Sequence, residues 1–263
     1  RRASPFDGAI ARAQVTVDRS VLTAQTQALV TSLRQQKYER ILEEDPRITL
    51  VRGVASFRDT SSLQVCTDHK TSLRVAFDRC VVATGARPSI PPIPGLAESS
   101  FWTSTDALAS EEVPRRLVVV GGSVTAVELA QAFARLGSAV TLLARSTLLS
   151  RDDPFLGDAL KRTFAAEGID VRTHTVIRRI SSAGGTVVID TDAGLVTGDR
   201  LLVATGRTPT THGLGLDDIG VRRSEGGAII VDDHLRTNVE NIYAVGDCTI
   251  LPQYVYIAAA AGT

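Results

Sequence analysis

The sequence holds no methionine, one tryptophan and three cysteines in 263 residues, and each scarcity excludes something. Cys66, Cys80 and Cys248 are too few and too scattered for a secreted disulfide framework, and none falls in a C-x-x-C or comparable pair. They are expected to be small buried hydrophobes. Neither they nor His69, His174, His212 and His234 show metal-ligand spacing, so no metal site is expected within the chain. Charge of one sign is missing too: 29 basic residues meet 29 acidic ones, which leaves no field to draw nucleic acid or an anionic membrane. No apolar run approaches the roughly 18 residues that span a bilayer, and the opening residues lack the apolar stretch of a secretory signal. A cytoplasmic location is the expectation. The missing Met, together with an Ala258–Ala261 tail that reads as an interrupted helix, leads us to expect a fragment truncated at both ends.

What is present suits a folded protein: 43% hydrophobic and 22% charged residues can bury a sizeable core. From Asp18, a possible N-cap, to Leu42, the spacing of Val21, Leu22, Leu29, Leu33 and Ile41 predicts one long helix. Strand-like runs follow at Ile48–Val51, Gly53–Phe57, Leu63–Thr67, Leu73–Phe77 and Arg79–Ala83, read as a sheet closing on Cys80–Ala83. Four prolines between Pro88 and Gly95 mark a connector, with a domain boundary near residue 95. Arg116–Val120 is then an apolar strand that runs into Gly121-Gly122-Ser123. A helical stretch Val124–Leu136, capped by Gly137, and a strand Ser138–Ala144 complete a β-α-β unit. A helix over Asp153–Glu167, a strand Asp170–Thr173 and alternating strands from Val176 to Val203 come next, with a hairpin signal at Ala183-Gly184-Gly185. Further strands are predicted at Ala228–Asp232 and Asn241–Val245. The phrase Val82-Ala83-Thr84-Gly85 recurs as Val203-Ala204-Thr205-Gly206, which points to two related domains.

The chemistry starts at Gly121-Gly122-Ser123-Val124-Thr125-Ala126, a variant of G-x-G-x-x-G/A. Gly121 permits the tight turn out of the strand, Ala126 lets helix and sheet pack closely, and the helix N-terminus offers N–H groups to a pyrophosphate. Ser123 departs from the pattern by placing a Cβ where the ligand would approach. Dinucleotide sites for NAD carry an acid at the end of the second strand, whereas arginines accommodate a 2′-phosphate. Here that strand ends in Arg145, with Arg151 six residues on and no carboxylate before Asp152, so NADPH is favoured over NADH.

Four ordered motifs span the chain: Ala83-Thr84-Gly85-Ala86-Arg87-Pro88; the Gly121 loop running into Val127-Glu128-Leu129-Ala130; Ala204-Thr205-Gly206-Arg207-Thr208-Pro209; and Thr237 to Asp247. In this order they resemble the pyridine nucleotide-disulfide oxidoreductases. Pro91–Leu96, Phe101–Ser110 and Pro252–Tyr256 are more similar to the mercuric reductase branch than to glutathione reductase or dihydrolipoyl dehydrogenase. The resemblance implies an α/β fold with two Rossmann-like nucleotide-binding domains, parallel central sheets and β-meanders. It divides the chain into an FAD-binding part (1–95), an NADPH-binding domain (96–212) and a return to the FAD-binding or central domain (213–263).

It also implies site residues. Asp247 is similar to the aspartate that accepts from the FAD ribityl chain, Val255 to the helix start facing the flavin O2/N1 edge, and Ala55 to the backbone position beside the adenine. Thr84, Gly85, Gly206 and Arg207 fall in cofactor-binding motifs with Gly121, Ser123, Ala126, Arg145 and Arg151. Glu128 matches a glutamate that pairs with a lysine beside the flavin, and Tyr38 a helix tyrosine that reaches the substrate site. Val124 stands where some relatives carry a tyrosine that shields the flavin. The implied reaction is NADPH-driven reduction of Hg(II) to Hg(0) through FAD and a cysteine pair outside these residues, in a homodimer with no nucleic-acid or membrane partner. Another FAD disulfide reductase, or a nucleotide-binding redox sensor without thiol chemistry, remains open at this level.

Overall fold

The computed structural model describes residues 17–67 and 71–262, so His69 lies outside the described residues. In chain order the helices are α1 (Arg19–Arg34), α2 (Arg40–Glu44), α3 (Ser104–Ala109), α4 (Val124–Leu136), α5 (Pro154–Ala166) and α6 (Val255–Ala261). The strands begin with β1 (Val54–Asp59), β2 (Ser62–Cys66), β3 (Ser72–Ala76), β4 (Cys80–Val82), β5 (Ala86–Pro88), β6 (Arg116–Val120) and β7 (Ala139–Leu143). They continue with β8 (Asp170–Arg172), β9 (Ile177–Ala183), β10 (Thr186–Thr191), β11 (Gly194–Gly198), β12 (Arg200–Val203), β13 (Arg207–Pro209) and β14 (Ile242–Ala244). The chain divides into two units. Among the described residues, one takes those up to Gln35 and Pro88–Gly206; the other takes those within Gln36–Arg87 and from Arg207 onward. No helix among the described residues is long and apolar enough to cross a membrane.

The first unit is built on a four-stranded parallel sheet in the order β12-β6-β7-β8. A parallel strand buried on both faces needs apolar residues at successive positions, and Leu117–Val120 supplies four. Alternation sends them to two different cores. Leu117 and Val119 join Ala126, Ala130 and Phe133 of α4 and Phe164 of α5 on the helical face. Val118 and Val120 join Ile180, Val187, Ile189 and Val196 of the antiparallel meander β11-β10-β9 on the other. The β9–β10 hairpin turns at Gly184 and Gly185, both at positive φ (57° and 78°), the backbone that a two-residue turn of this twist demands. Gly137 caps α4 at φ 113° and Asp153 caps α5 by accepting from Phe155 N. The predicted β-α-β unit and hairpin are thus both formed.

The helix predicted from Asp18 to Leu42 is formed but not in one piece. Asp18 caps α1, accepting from the N–H groups of Ser20 (3.0 Å) and Val21 (3.2 Å). A π-turn over Gln35–Glu39 then interrupts the α geometry before α2. One wide turn shifts the periodicity by a single residue, too little for apolar spacing to reveal.

In the second unit β1-β2-β3 form an antiparallel meander, and β4 pairs in parallel with β14. The predicted sheet closing on Cys80–Ala83 is therefore corrected: β4 takes its partner from the end of the chain, and Asn241 locks the pairing by donating to the carbonyl of Thr60 (2.8 Å). The core gathers Phe57, Val82, Leu216, Ile229, Ile242, Ala244 and Cys248. Two predicted strands are absent. Residues Ile48–Val51 stay exposed and irregular, since apolar propensity without a neighbouring strand forms no ladder. Within Ala228–Asp232 only Ile229 bridges, to Arg223 and Thr249. Of the cysteines, Cys248 is buried as expected, but Cys66 is exposed on β2, because its side chain alternates away from that of buried Val65. Cys80 is intermediate, and burial pushes its thiol pKa up.

Candidate functional site

The sheet of the first unit has one topological switch point. The chain runs from β6 outward to β7 and β8, then returns to β12 on the far side of β6. In such sheets ligands bind beyond the carboxyl ends of the two strands that flank the reversal. Those ends are Val120 and Val203, and the glycine loop leaves from the first of them.

Gly121 is fitted to this crevice by its neighbour. At φ 136°, a Cβ there would stand 2.2 Å from the Ala204 carbonyl oxygen, so only glycine lets the two strand exits close up. Ser123, the residue that breaks the motif, is the N-cap of α4: its hydroxyl accepts from Ala126 N (3.3 Å) and donates to Ala204 O (2.8 Å). The motif reading missed this double role. An N-cap preference for serine before an apolar run was the available signal. Ala126 is fully buried against the sheet, while Val124, Thr125 and Glu128 line the exposed side of the helix. The N–H groups of Val124 and Thr125 have no partner among the described residues, so the first turn of this 13-residue helix offers donors and the positive end of its dipole to an anion.

The arginine loop is held against this turn by backbone contacts. Leu149 N donates to Gly122 O (2.8 Å), and a Cβ on Gly122 would come to 3.0 Å from Thr147 O. Gly157 of α5 lies so close beneath that its Cβ would meet Leu148 O at 2.4 Å. Arg145 and Arg151 emerge from this loop exposed and make no ion pair with any described residue. Four other guanidinium groups of the unit form ion pairs, Arg116 with Asp199 (2.7 Å), Arg135 with Glu167 (2.8 Å), Arg172 with Asp170 (2.9 Å) and Arg200 with Glu112 (2.8 Å), whereas Arg115, Arg162, Arg178 and Arg179 are exposed like Arg145 and Arg151. A helix N-terminus with free donors, flanked by two uncommitted arginines, fits a pyrophosphate that carries one further phosphate nearby.

The second unit holds the remaining candidates. Asp247 sits in a single 3₁₀ turn, Gly246–Cys248, with one carboxylate oxygen 3.4 Å from Arg207 Nε. Arg207 also donates to the Ala86 carbonyl. Val255 opens α6 and is 85% exposed, and Ala55 is half-buried on β1 opposite Val65. Tyr38 projects from the π-turn, exposed. The two Thr-Gly repeats behave alike, each in its own unit. Thr84 donates to Thr210 O (2.6 Å) while Thr210 N donates to Gly85 O (2.8 Å). Thr205 donates to Ser89 O (2.7 Å) while Ser89 N donates to Gly206 O (2.9 Å). Among the described residues no group of three or more His, Cys, Asp or Glu side chains is arranged to hold a metal ion.

A parallel sheet with a glycine loop at its switch point, an antiparallel meander on one face and a duplicated strand exit defines a pyridine-nucleotide oxidoreductase architecture. Residues 5–262 match the pyridine nucleotide-disulphide oxidoreductase family, and the chain belongs to it. Over its whole length it is 53% identical to the mercuric reductase of Shigella flexneri and 53% identical to that of Acidithiobacillus ferrooxidans, covering 47% and 48% of them. The chain thus spans about half the length of the curated relatives it matches. Among solved structures, the HOCl-induced flavoprotein disulfide reductase RclA of Escherichia coli superposes with a TM-score of 0.86 at 30% identity, over 94% of this chain and 56% of that one. LpdA of Mycobacterium tuberculosis gives 0.84 at 25% identity, over 94% and 55%.

Proposed function

We propose that the chain is the nucleotide-binding core of an FAD- and NADPH-dependent mercuric reductase, in which NADPH and Hg(II) yield NADP⁺, a proton and Hg(0). The observation that carries the cofactor reading is the N-terminus of α4 with its free donors, bordered by Arg145 and Arg151. Mercury as substrate rests on the 53% identity to two proteins that bear that name.

In this reading residues 96–212 bind NADPH. Gly121, Ser123 and Ala126 shape the turn that receives the pyrophosphate, and Arg145 and Arg151 take the 2′-phosphate. Residues 1–95 and 213–263 bind FAD. Asp247, with one oxygen held by Arg207, accepts from the ribityl chain with the other, Ala55 lies beside the adenine, and the N–H of Val255, without a partner among the described residues, faces the pyrimidine edge of the flavin. Thr84, Gly85, Gly206 and Arg207 set the strand exits that frame these pockets. Bound FAD supplies two-electron transfer between the nicotinamide and a thiol pair. Glu128, exposed and without a partner among the described residues, is free to pair with a lysine beside the flavin, and Tyr38 to reach the metal substrate. None of Cys66, Cys80 and Cys248 is spaced as a redox pair, so the thiolates that ligate Hg(II) come from outside these residues. The complete protein works as a homodimer in the cytoplasm, a compartment that keeps such thiols reduced.

The test is NADPH oxidation by the complete flavin-loaded protein with Hg(II) in excess thiol, with collection of volatile Hg(0). Hg(II)-dependent turnover that prefers NADPH to NADH is expected. Turnover with a disulfide substrate and none with Hg(II) would overturn the mercury assignment.

A further inference from the structure

We propose that His174 is a third ligand of the cofactor's 2′-phosphate, a specificity-determining residue beside Arg145 and Arg151; the inference rests on the NADPH reading above. The backbone sets the juxtaposition. Arg145 lies between two residues that both pair with the segment after β8: Ala144 N donates to Arg172 O (2.9 Å), Thr175 N to Ala144 O (3.0 Å), and His174 N to Ser146 O (3.2 Å). Paired segments of this kind run about 5 Å apart, so the histidine stands next to Arg145 at the carboxyl edge of the sheet.

Three features favour a ligand role over simple packing. His174 is exposed, and its ring has no partner among the described residues. Its backbone is left-handed (φ 54°), one of three non-glycine residues so placed among the described residues; Leu149, in the arginine loop, is another (φ 48°). Such conformations concentrate at ligand sites, and histidine tolerates them better than most residues. Finally, the neighbouring charges are spent. Arg172 pairs with Asp170, Lys161 donates to Thr173 Oγ1 (3.2 Å), Asp153 caps α5, and Asp192 accepts from Val176 N (3.0 Å). The side chains of Arg145, Arg151, His174 and Asp152 make no hydrogen bond or ion pair with any described residue. An imidazole on the strand edge beside Arg145 adds a directional N–H donor suited to a phosphate monoester on a ribose.

The experiment is equilibrium titration of the flavin-loaded complete protein with adenosine 2′,5′-bisphosphate and with 5′-AMP, comparing the parent, His174→Asn and Arg145→Gln. Asparagine accepts the left-handed backbone, so the variant removes only the ring. His174→Asn is expected to weaken the bisphosphate about tenfold, at the low end for a hydrogen bond to a charged group, and to leave 5′-AMP unchanged. If Arg145→Gln weakens the bisphosphate and His174→Asn does not, the histidine assignment is overturned while the site stands. If neither variant discriminates the two nucleotides, the NADPH reading itself fails. Equal weakening of both nucleotides by His174→Asn also overturns the proposal, because it marks a structural residue.

Discussion

Replacing Gly121 by alanine tests the crevice at its tightest point. Two costs combine. A backbone at φ 136° is strained for any L side chain, at about 1 to 3 kcal/mol. The added Cβ would also stand 2.2 Å from Ala204 O and 2.7 Å from its carbonyl carbon, and main chain cannot rotate away as a side chain can. Forcing the exits of β6 and β12 apart disturbs Val120 and Val203, both packed in the meander-side core, and overpacking of this kind costs about 1 to 3 kcal/mol more. A total near 3 kcal/mol should lower the melting temperature of this unit by roughly 6 °C or more. Thermal unfolding of the flavin-loaded protein reads it, with Gly122→Ala as the paired control. A Cβ on Gly122 meets Thr147 O at 3.0 Å and Ala144 Cβ at 3.3 Å, contacts that a loop can relieve. Gly122→Ala should therefore cost about 1 kcal/mol or less in stability yet displace the arginine loop and raise the KM for NADPH. Were Gly121→Ala to melt with the parent, or Gly122→Ala to be the less stable of the two, the packing of the strand exits would be misjudged.

Ser123→Ala removes both the cap of α4 and the bond to Ala204, so a loss of about 1 to 2 kcal/mol is expected in denaturant unfolding; an unchanged midpoint would deny the double role. Arg145→Glu should raise the KM for NADPH at least tenfold, about 1.4 kcal/mol of lost phosphate pairing, with the KM for NADH little changed; equal effects on both would refute a 2′-phosphate role. Asp59 gives a pH prediction. Hydrogen bonds from the Ser62 hydroxyl and from the N–H and hydroxyl of Ser61 bring its carboxyl down to about 2 from an ordinary 3.8, with Arg74 assisting. Because the folded value is the lower one, the stabilisation is complete above the ordinary value and fades as pH falls from about 4 through about 2. The stability gap between the parent and Asp59→Asn should narrow over that window, and a gap independent of pH would contradict it.

The sequence announced its first unit more fully than its second, for a physical reason. A strand buried on both faces must be apolar at successive positions, so Leu117–Val120, followed by glycines and a helical period, admits little else. The second unit rests on shorter strands of three to six residues whose partners are remote: β4 pairs with β14, about 160 residues away, and nothing in Cys80–Val82 foretells that. Apolar content misled at Ile48–Val51, where no strand lies alongside. It misled in the other sense at Ala228–Asp232, where Ile229 is buried without a ladder. Helix α3 went unread although its capping box was written out: Thr103 bonds Asp106 N, and the Asp106 carboxylate accepts from Thr103 N (2.8 Å). In the candidate site, Gly121 was legible as the turn residue because its backbone and its closeness to Ala204 O admit only glycine. The pairing that sets His174 next to Arg145 was not, since it lies in main-chain bonds that no residue type announces.

The repeated Val-Ala-Thr-Gly phrase turns out to encode a device rather than a contact surface. In both copies a parallel strand ends, the glycine takes positive φ (66° at Gly85, 123° at Gly206), and the threonine hydroxyl is committed to the carbonyl of a crossing segment that donates its own N–H back. Beyond the last ladder bond of a strand the main chain still needs partners, and this reciprocal pair supplies one to the glycine carbonyl and one to the carbonyl of the crossing segment. The hydroxyl is then spent on the main chain in both copies. The same economy governs Ser123, whose one hydroxyl both caps a helix and ties the glycine loop to Ala204. Arg145 and Arg151, on the loop packed against that turn, are exposed and make no ion pair with any described residue. That division, with backbone and hydroxyls building the crevice and free cations facing outward, is what a site selective for a doubly phosphorylated nucleotide requires.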